Sequence, residues 1–311
     1  MRTTHEAFGG RAMMMDGSTN LSDHATHVAG TLVGGTVNAT AKGMAYQATL
    51  HAYDWDNDEA EMALAAANGL LVSNHSYGLI TGWAFGDFAA TGTNEWYWFG
   101  SQADTEDRAY GRYSQQSNRW DSIAQLAPNY LIVKAAGNDR GQGPAAGTPH
   151  RAWNGSAWVS STTTREVAGG TTGYDCISHA GVAKNVLTVG AVNGIGGGYL
   201  QPSQVVASAF HGWGPTDDGR IKPDVVAKGV GVLSSSSAGD ASYNTKNGTS
   251  MASPMVTGSM ALLQQHYRQL NGNTPMKAAT LKALVIHTAD EAGISEGPDY
   301  IFGWGLMNTA K

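Results

Sequence analysis

The chain reads as an α/β fold with a doubly wound, mostly parallel sheet and helices on both faces. Leu70 to Ser73, Tyr130 to Ala135 and Val186 to Gly190 are short, nearly continuous apolar runs, as parallel strands covered on both faces require. Helical patterns at about Asp23 to Val33, Glu59 to Asn68, Asn118 to Leu126, Ser250 to Arg268 and Pro275 to Ala289 alternate with these runs. With 311 residues and 41% hydrophobic content, one large core and a single domain over residues 1–311 are expected. In such sheets the working residues gather at the carboxyl ends of strands and the amino ends of helices.

The first helix opens on Asp23-His24-Ala25-Thr26-His27. An imidazole titrates near neutrality, so His24 can take a proton from a nucleophile and return it to a leaving group. His24 and His27 lie three apart on one helical face, which raises the question of a metal. The zinc-peptidase helix spaces its histidines by four with a glutamate after the first, and here Ala25 fills that place. His27 therefore reads as a buried, hydrogen-bonded structural histidine. The next strand ends in Ser73-Asn74-His75-Ser76-Tyr77-Gly78, and the one after it in Ala135-Ala136-Gly137-Asn138-Asp139, where position alone favours a turn. Between and beyond them, Thr81 to Asp107 is rich in tryptophan and phenylalanine, and Gly141 to Ser178 in small residues. Both read as long surface excursions, the aromatic one as a lid on the body in preference to a substrate-binding wall.

The last long helix is preceded by Asn247-Gly248-Thr249-Ser250-Met251-Ala252-Ser253-Pro254. Gly248 lets backbone approach a substrate, Ser250 starts the helix, and Pro254 is expected within its first turn, where a missing N–H costs little. Met255, Val256, Met260, Leu262 and Leu263 then make the helix apolar nearly all round, hence buried.

This serine string resembles the serine motif of the subtilisin-like serine proteases, the subtilases. The His24 string resembles their histidine motif, with Ala25 where glycine is usual, and the Asn138 string their oxyanion motif. Further strings, Phe210 to Pro215, Arg220 to Asp224 and Gly303 to Asn308, resemble other family segments, so the likeness runs from about His24 to Asn308. The resemblance implies Ser250 as nucleophile, His24 as general base and Asn138 as oxyanion donor, with the peptide adding as an edge strand beside residues 73–78. Ser76, Tyr77 and Gly78 facing Ala135, Ala136 and Gly137 would then wall the pocket for the side chain before the scissile bond. Small walls suit a large apolar or aromatic side chain, although the loop from Gly141 can cap the pocket. The order histidine, asparagine, serine also differs from that of lipase-type hydrolases, where Gly-x-Ser-x-Gly comes first.

The family's aspartate sits on an early strand followed by glycine, and no such strand precedes His24. Thr3 to Phe8 resembles the segment that follows this aspartate in some members, so the chain is expected to begin just after it and to lack that strand. Asp16-Gly17 has the right form but lies only eight positions before His24, behind a poor buried strand, and reads as a solvated turn. In subtilisin, losing the acid costs about 3 × 10⁴ in kcat while leaving a rate above that in water. A serine endopeptidase weakened by an incomplete triad is thus the first expectation. The alternative is a catalytically inactive peptide-binding pseudoenzyme, with a metal-dependent hydrolase third.

Bulk properties narrow the partners. The formal net charge of −6 comes without a Lys/Arg cluster, so polypeptide substrates are expected and nucleic acid or membrane partners are not. No run reaches signal-peptide or membrane-spanning length, and localisation rests on resemblance, which implies secretion. The one cysteine, Cys176, excludes an internal disulfide. No cofactor is expected beyond the structural calcium the family often holds. Asp54 to Glu59 fails as an EF-hand, since its sixth position is Glu59 and its twelfth Ala65. A monomer is expected.

Overall fold

In chain order, β1 (Ala12–Met14), α1 (Asp23–Val33), β2 (Leu50–Ala52), α2 (Asp58–Ala67) and β3 (Val72–His75) open the computed structural model, which describes residues 1–311. There follow β4 (Trp83–Gly86), β5 (Glu95–Trp98), α3 (Gln115–Leu126), β6 (Leu131–Ala135), β7 (His150–Trp153), β8 (Trp158–Ser161) and β9 (Leu187–Val192). The chain closes with β10 (Val225–Lys228), β11 (Val232–Ser235), β12 (Tyr243–Lys246), α4 (Thr249–Leu270) and α5 (Ala278–His287).

β10, β9, β6 and β3 form a parallel sheet in that order. Leu131, Val133, Leu187, Val189 and Val225 bury one face against Val256 and Met260 of α4 and Leu281 and Val285 of α5. Tyr130, Ile132 and Val186 bury the other against Met62 of α2 and Trp120 of α3. Each such side chain contributes about 1.5–3 kcal/mol when fully buried, which is why β6 and β9 carry almost no polar residue. β1 and β2 pair in parallel as a separate two-stranded sheet. Consecutive strands β2 and β3 thus belong to different sheets, each with one unpaired edge.

Element ends depart from the sequence reading where side chains intervene. α3 starts three residues early because Ser114 and Ser117 cap each other reciprocally. α5 starts late because Gln264 holds both the amide and the carbonyl of Met276, keeping that segment out of the helix. β3 starts late because the Leu70 amide still closes α2 through the Ala65 carbonyl. The larger correction concerns the two stretches read as excursions. They supply β4, β5, β7 and β8, one mixed sheet in which β5 of the first stretch pairs in parallel with β7 of the second. Trp83, Trp98 and Ala152 form its own small core. Pairing between segments so far apart in the chain leaves no local periodicity to read.

α4 runs close over the turn after α1. A methyl group on Gly258 would lie 2.7 Å from Met44 Cβ and 3.2 Å from both the Ala45 nitrogen and the Leu32 carbonyl oxygen. Gly258→Ala is expected to destabilise the fold by about 1–3 kcal/mol, seen as a lower urea midpoint at unchanged slope.

Candidate active site

The turn into α4 joins two of the three sequence motifs. Asn138 follows β6, and its Oδ1 accepts hydrogen bonds from the Thr249 amide at 2.8 Å and the Thr249 hydroxyl at 3.0 Å. The Thr249 hydroxyl in turn accepts from the Gly137 amide. With Oδ1 so committed, the carboxamide can present only its Nδ2 donor to the site. A methyl placed on Gly248 would lie 3.6 Å from the Ser250 nitrogen and 3.8 Å from Asn138 Nδ2. Two N–H donors therefore flank one small hollow beside Ser250. Gly248 keeps it open and adopts φ 152° and ψ 156°, a region essentially reserved for glycine.

Ser250 is held from the other side by the end of β3. Its hydroxyl donates to the Ser76 carbonyl at 3.2 Å, and the Ser76 hydroxyl donates to the Ser250 carbonyl at 3.1 Å. The second bond has a cause in the sequence. α4 begins at Thr249, so Pro254 is its sixth residue and not in its first turn as expected. Lacking an N–H, Pro254 leaves the carbonyl four residues back, that of Ser250, without its helical donor, and Ser76 takes its place. Asn74 completes the clamp: Nδ2 donates to the Ser76 hydroxyl, while Oδ1 accepts from the Ser253 and Thr257 hydroxyls. Asn74 and Thr249 were not singled out by the sequence reading, although both lie inside the strings that were.

His24 is the second residue of α1, after the Ser22 cap, whose hydroxyl accepts from the Ala25 amide. Asp23 does not face His24. Its carboxylate takes Lys246 at 2.7 Å, the Ser236 hydroxyl, the Ser237 amide and Asn244 Nδ2, which pins the start of α1 to the β11–β12 hairpin leading into α4. Burial alone would raise this carboxyl, but those donors hold it well below the usual range. His27 is buried, and its Nε2 donates to the Val232 carbonyl, fixing α1 on β11 as a structural histidine would.

The His24 ring stays exposed and makes no hydrogen bond to Ser250, whose hydroxyl is engaged with Ser76. In ligand-free enzymes such bonds are often long and tighten only with substrate. No carboxylate bonds the ring either. Desolvation against the protein wall, followed by the Lys246 ammonium, lowers its pKa below the ordinary imidazole value, against a smaller upward pull from Asp23. This favours the neutral ring at pH 7. Asp16 is spoken for elsewhere: it accepts from the Ser18 and Asp54 amides.

The proposed pocket walls meet at the ends of β3 and β6. Ser76, Ala135 and Ala136 are buried, Gly78 is exposed, and Tyr77 turns its ring away. The Tyr77 hydroxyl donates to Asp58 at 2.9 Å, which leaves it an acceptor for His75 Nδ1 at 2.8 Å. His75 Nε2 must then accept from Ser73, and Ser73 from the Tyr130 hydroxyl. This one-way chain of donors ends on a carboxylate and fixes His75 as the neutral Nδ1–H tautomer. Complete burial, then the nearby Lys134, keep its pKa down at about 3.

Asp175 Oδ1 is buried without a partner, and it and Asp217 Oδ1 both converge on Gly111, where a Cβ would lie 2.3 and 2.4 Å from them. Glu106 lines the same hollow, so a calcium here would need backbone carbonyls and water beside these carboxylates to reach six to eight ligands. Neighbouring Asp107 is committed to the Gly82 and Ala109 amides.

The sequence profile of the subtilase family matches residues 11–305. The chain belongs to the subtilase family. It is accordingly a serine-protease domain. Over 110 residues it is 41% identical to the C5a peptidase of Streptococcus pyogenes, covering 33% of this chain and 9% of that protein. Over 156 residues it is 31% identical to the serine protease AprX of Bacillus subtilis, covering 46% of this chain and 33% of AprX. The subtilase chain described here thus spans a third or less of these relatives. The CspB protease of Clostridium perfringens shares the fold with a TM-score of 0.69 at 18% identity, covering 100% of this chain and 91% of that one. A cold-adapted subtilisin-like serine proteinase does so with a TM-score of 0.55 at 21% identity, covering 98% and 82%. No helix of this subtilase is long and apolar enough to cross a membrane.

Proposed function

We propose that this domain is a serine endopeptidase working through an acyl-enzyme, with polypeptides as substrates. Ser250 Oγ bonds to the scissile carbonyl carbon while His24 takes its proton. Asn138 Nδ2 and the Ser250 amide receive the oxygen that gains charge. Collapse breaks the C–N bond, and His24 hands the proton to the leaving amine; water then cleaves the ester by the same route. The observation that carries this reading is the hollow at Gly248, where two oriented donors stand beside a hydroxyl at a helix start. The peptide would add as a strand beside residues 73–78.

A fluorophosphonate probe should form an adduct on the Ser250-containing peptide, located by mass spectrometry, and Ser250→Ala should abolish it. Turnover should respond less. In subtilisin, losing the serine costs about 2 × 10⁶ in kcat and losing the acid alone about 3 × 10⁴, so with no carboxylate on His24 the further fall in Ser250→Ala is roughly 10². Chelators should leave the residual rate unchanged. The second reading, an inactive peptide binder, is favoured by the bare His24 ring and the Ser250 hydroxyl bonded to Ser76; an absent adduct together with retained peptide binding would establish it.

A further inference from the structure

Two lysines are buried in this chain, and they are treated differently. Lys222 Nζ has all three donors met, by the Val186 carbonyl, the Thr188 hydroxyl and Asp224. Lys134 Nζ makes one hydrogen bond, to the Ala135 carbonyl at 3.1 Å, and no ion pair. An ammonium removed from water with two donors unmet is costly unless something supplies a counter-charge. Its surroundings are on the page. His75 faces it from β3 as a neutral imidazole, Asp58 and Asp139 act on it from beyond ion-pair distance, and it acts in turn on His179. Burial draws the Lys134 pKa down to about 8, still cationic at neutral pH.

The place where the unmet donors stand matters. A methyl group on Gly78 would lie 3.7 Å from Lys134 Nζ, and one on Gly137 would lie 3.6 Å from Asp139 Oδ2. Both glycines belong to the walls assigned above to the pocket that takes the side chain before the scissile bond. Asp139 is half-buried, and burial pushes its carboxyl up to about 6 against the pull of Lys134, so it is a weak counter-charge; Lys134 is 8% exposed and depends on the occupant. Beside the small walls the approach thus holds a cation with two open donors, and the Asp139 carboxylate at the Gly137 side.

Resting on the substrate-binding reading of residues 76–78 and 135–137, we infer that Lys134 is a specificity-determining residue that selects an acidic side chain, glutamate above aspartate, immediately before the scissile bond. The glutamate carboxylate fills the two open donor directions of Nζ and pairs its charge, and the absent side chain of Gly78 leaves the approach free.

The test uses the full chain carrying Ser250→Ala, so that peptides are bound without turnover, and fluorescein-labelled Ala-Ala-Pro-Xaa amides read by anisotropy. The glutamate peptide should bind about 10- to 100-fold tighter than the leucine, glutamine or lysine peptides, the range expected for a charge-assisted contact. Lys134→Met, which fills the same volume without charge, should remove that advantage and favour leucine. Asp139→Asn, which removes a like charge from the approach, should strengthen glutamate binding. Equal or weaker binding of the glutamate peptide, or a glutamate preference that survives Lys134→Met, would overturn the inference. Fluorophosphonate labelling of the wild-type chain reports separately on Ser250, so a failed nucleophile and a failed pocket assignment give different results.

Discussion

Asn138→Leu is expected to slow acylation of Ser250 by about 10²–10³ in kcat, the scale known for the corresponding donor of subtilisin itself, with little change in KM. The reason is geometric. Oδ1 is tied to Thr249, so Nδ2 has one place to act, the hollow beside Gly248. A leucine keeps the volume and loses the donor, which leaves the Ser250 amide alone to meet the developing charge. Stopped-flow or discontinuous assays with a p-nitroanilide peptide check the split between kcat and KM. A loss confined to KM would mean that the carboxamide binds substrate without serving the transition state. Because the donor acts independently of the histidine, its loss should exceed that of Ser250→Ala in a chain whose His24 has no carboxylate.

The largest expected effect on stability lies away from the site. Asp224 is buried and accepts from Lys222 at 2.6 Å, Lys282 at 2.9 Å and the Thr188 amide at 2.7 Å. Asp224→Ala strands two ammonium groups, one of them fully enclosed, and should cost about 3–5 kcal/mol in urea denaturation, against a total of about 5–15 for a typical protein. Lys222→Met with Asp224→Leu should recover part of it, since the enclosed charge is gone while Lys282, the more exposed of the two lysines, is left to its carbonyl partners and water. Burial pushes the Asp224 carboxyl up, but the two lysines outweigh it and hold its folded pKa below normal. Its contribution is thus complete above the ordinary aspartate value of about 3.9 and is lost as pH falls toward the lower folded value.

Three strands of the parallel sheet and all five helices were legible because each buries an apolar pattern of the right period, whereas the edge strand β10 was not read. α1 has the bounds read from its sequence, Asp23 to Val33, since a serine cap and an acidic first residue mark its start. The mixed aromatic sheet was not legible, because Tyr97 finds Arg151 across more than fifty residues of chain. In the site, Asn138 is hydrogen-bonded to Thr249 next to Ser250, while His24 makes no hydrogen bond to either. The roles of Thr249 and Asn74 were hidden because a side chain that orients another leaves no periodic trace. Lys134 did leave one. It is the single charge in the otherwise apolar Leu131–Ala135, a run read as covered on both faces, and it is buried beside His75.

If Ser250 is the nucleophile, the paired bonds between Ser76 and Ser250 would latch its hydroxyl at rest. While its proton rests on the Ser76 carbonyl, the Ser250 oxygen has nothing to hand to His24. Any incoming strand that claims the same carbonyl for one of its own amides evicts that hydroxyl and turns it loose at the moment a peptide bond arrives. For a peptide, docking and arming would then coincide, whereas a small electrophile such as a fluorophosphonate would have to displace the hydroxyl from Ser76 without that help.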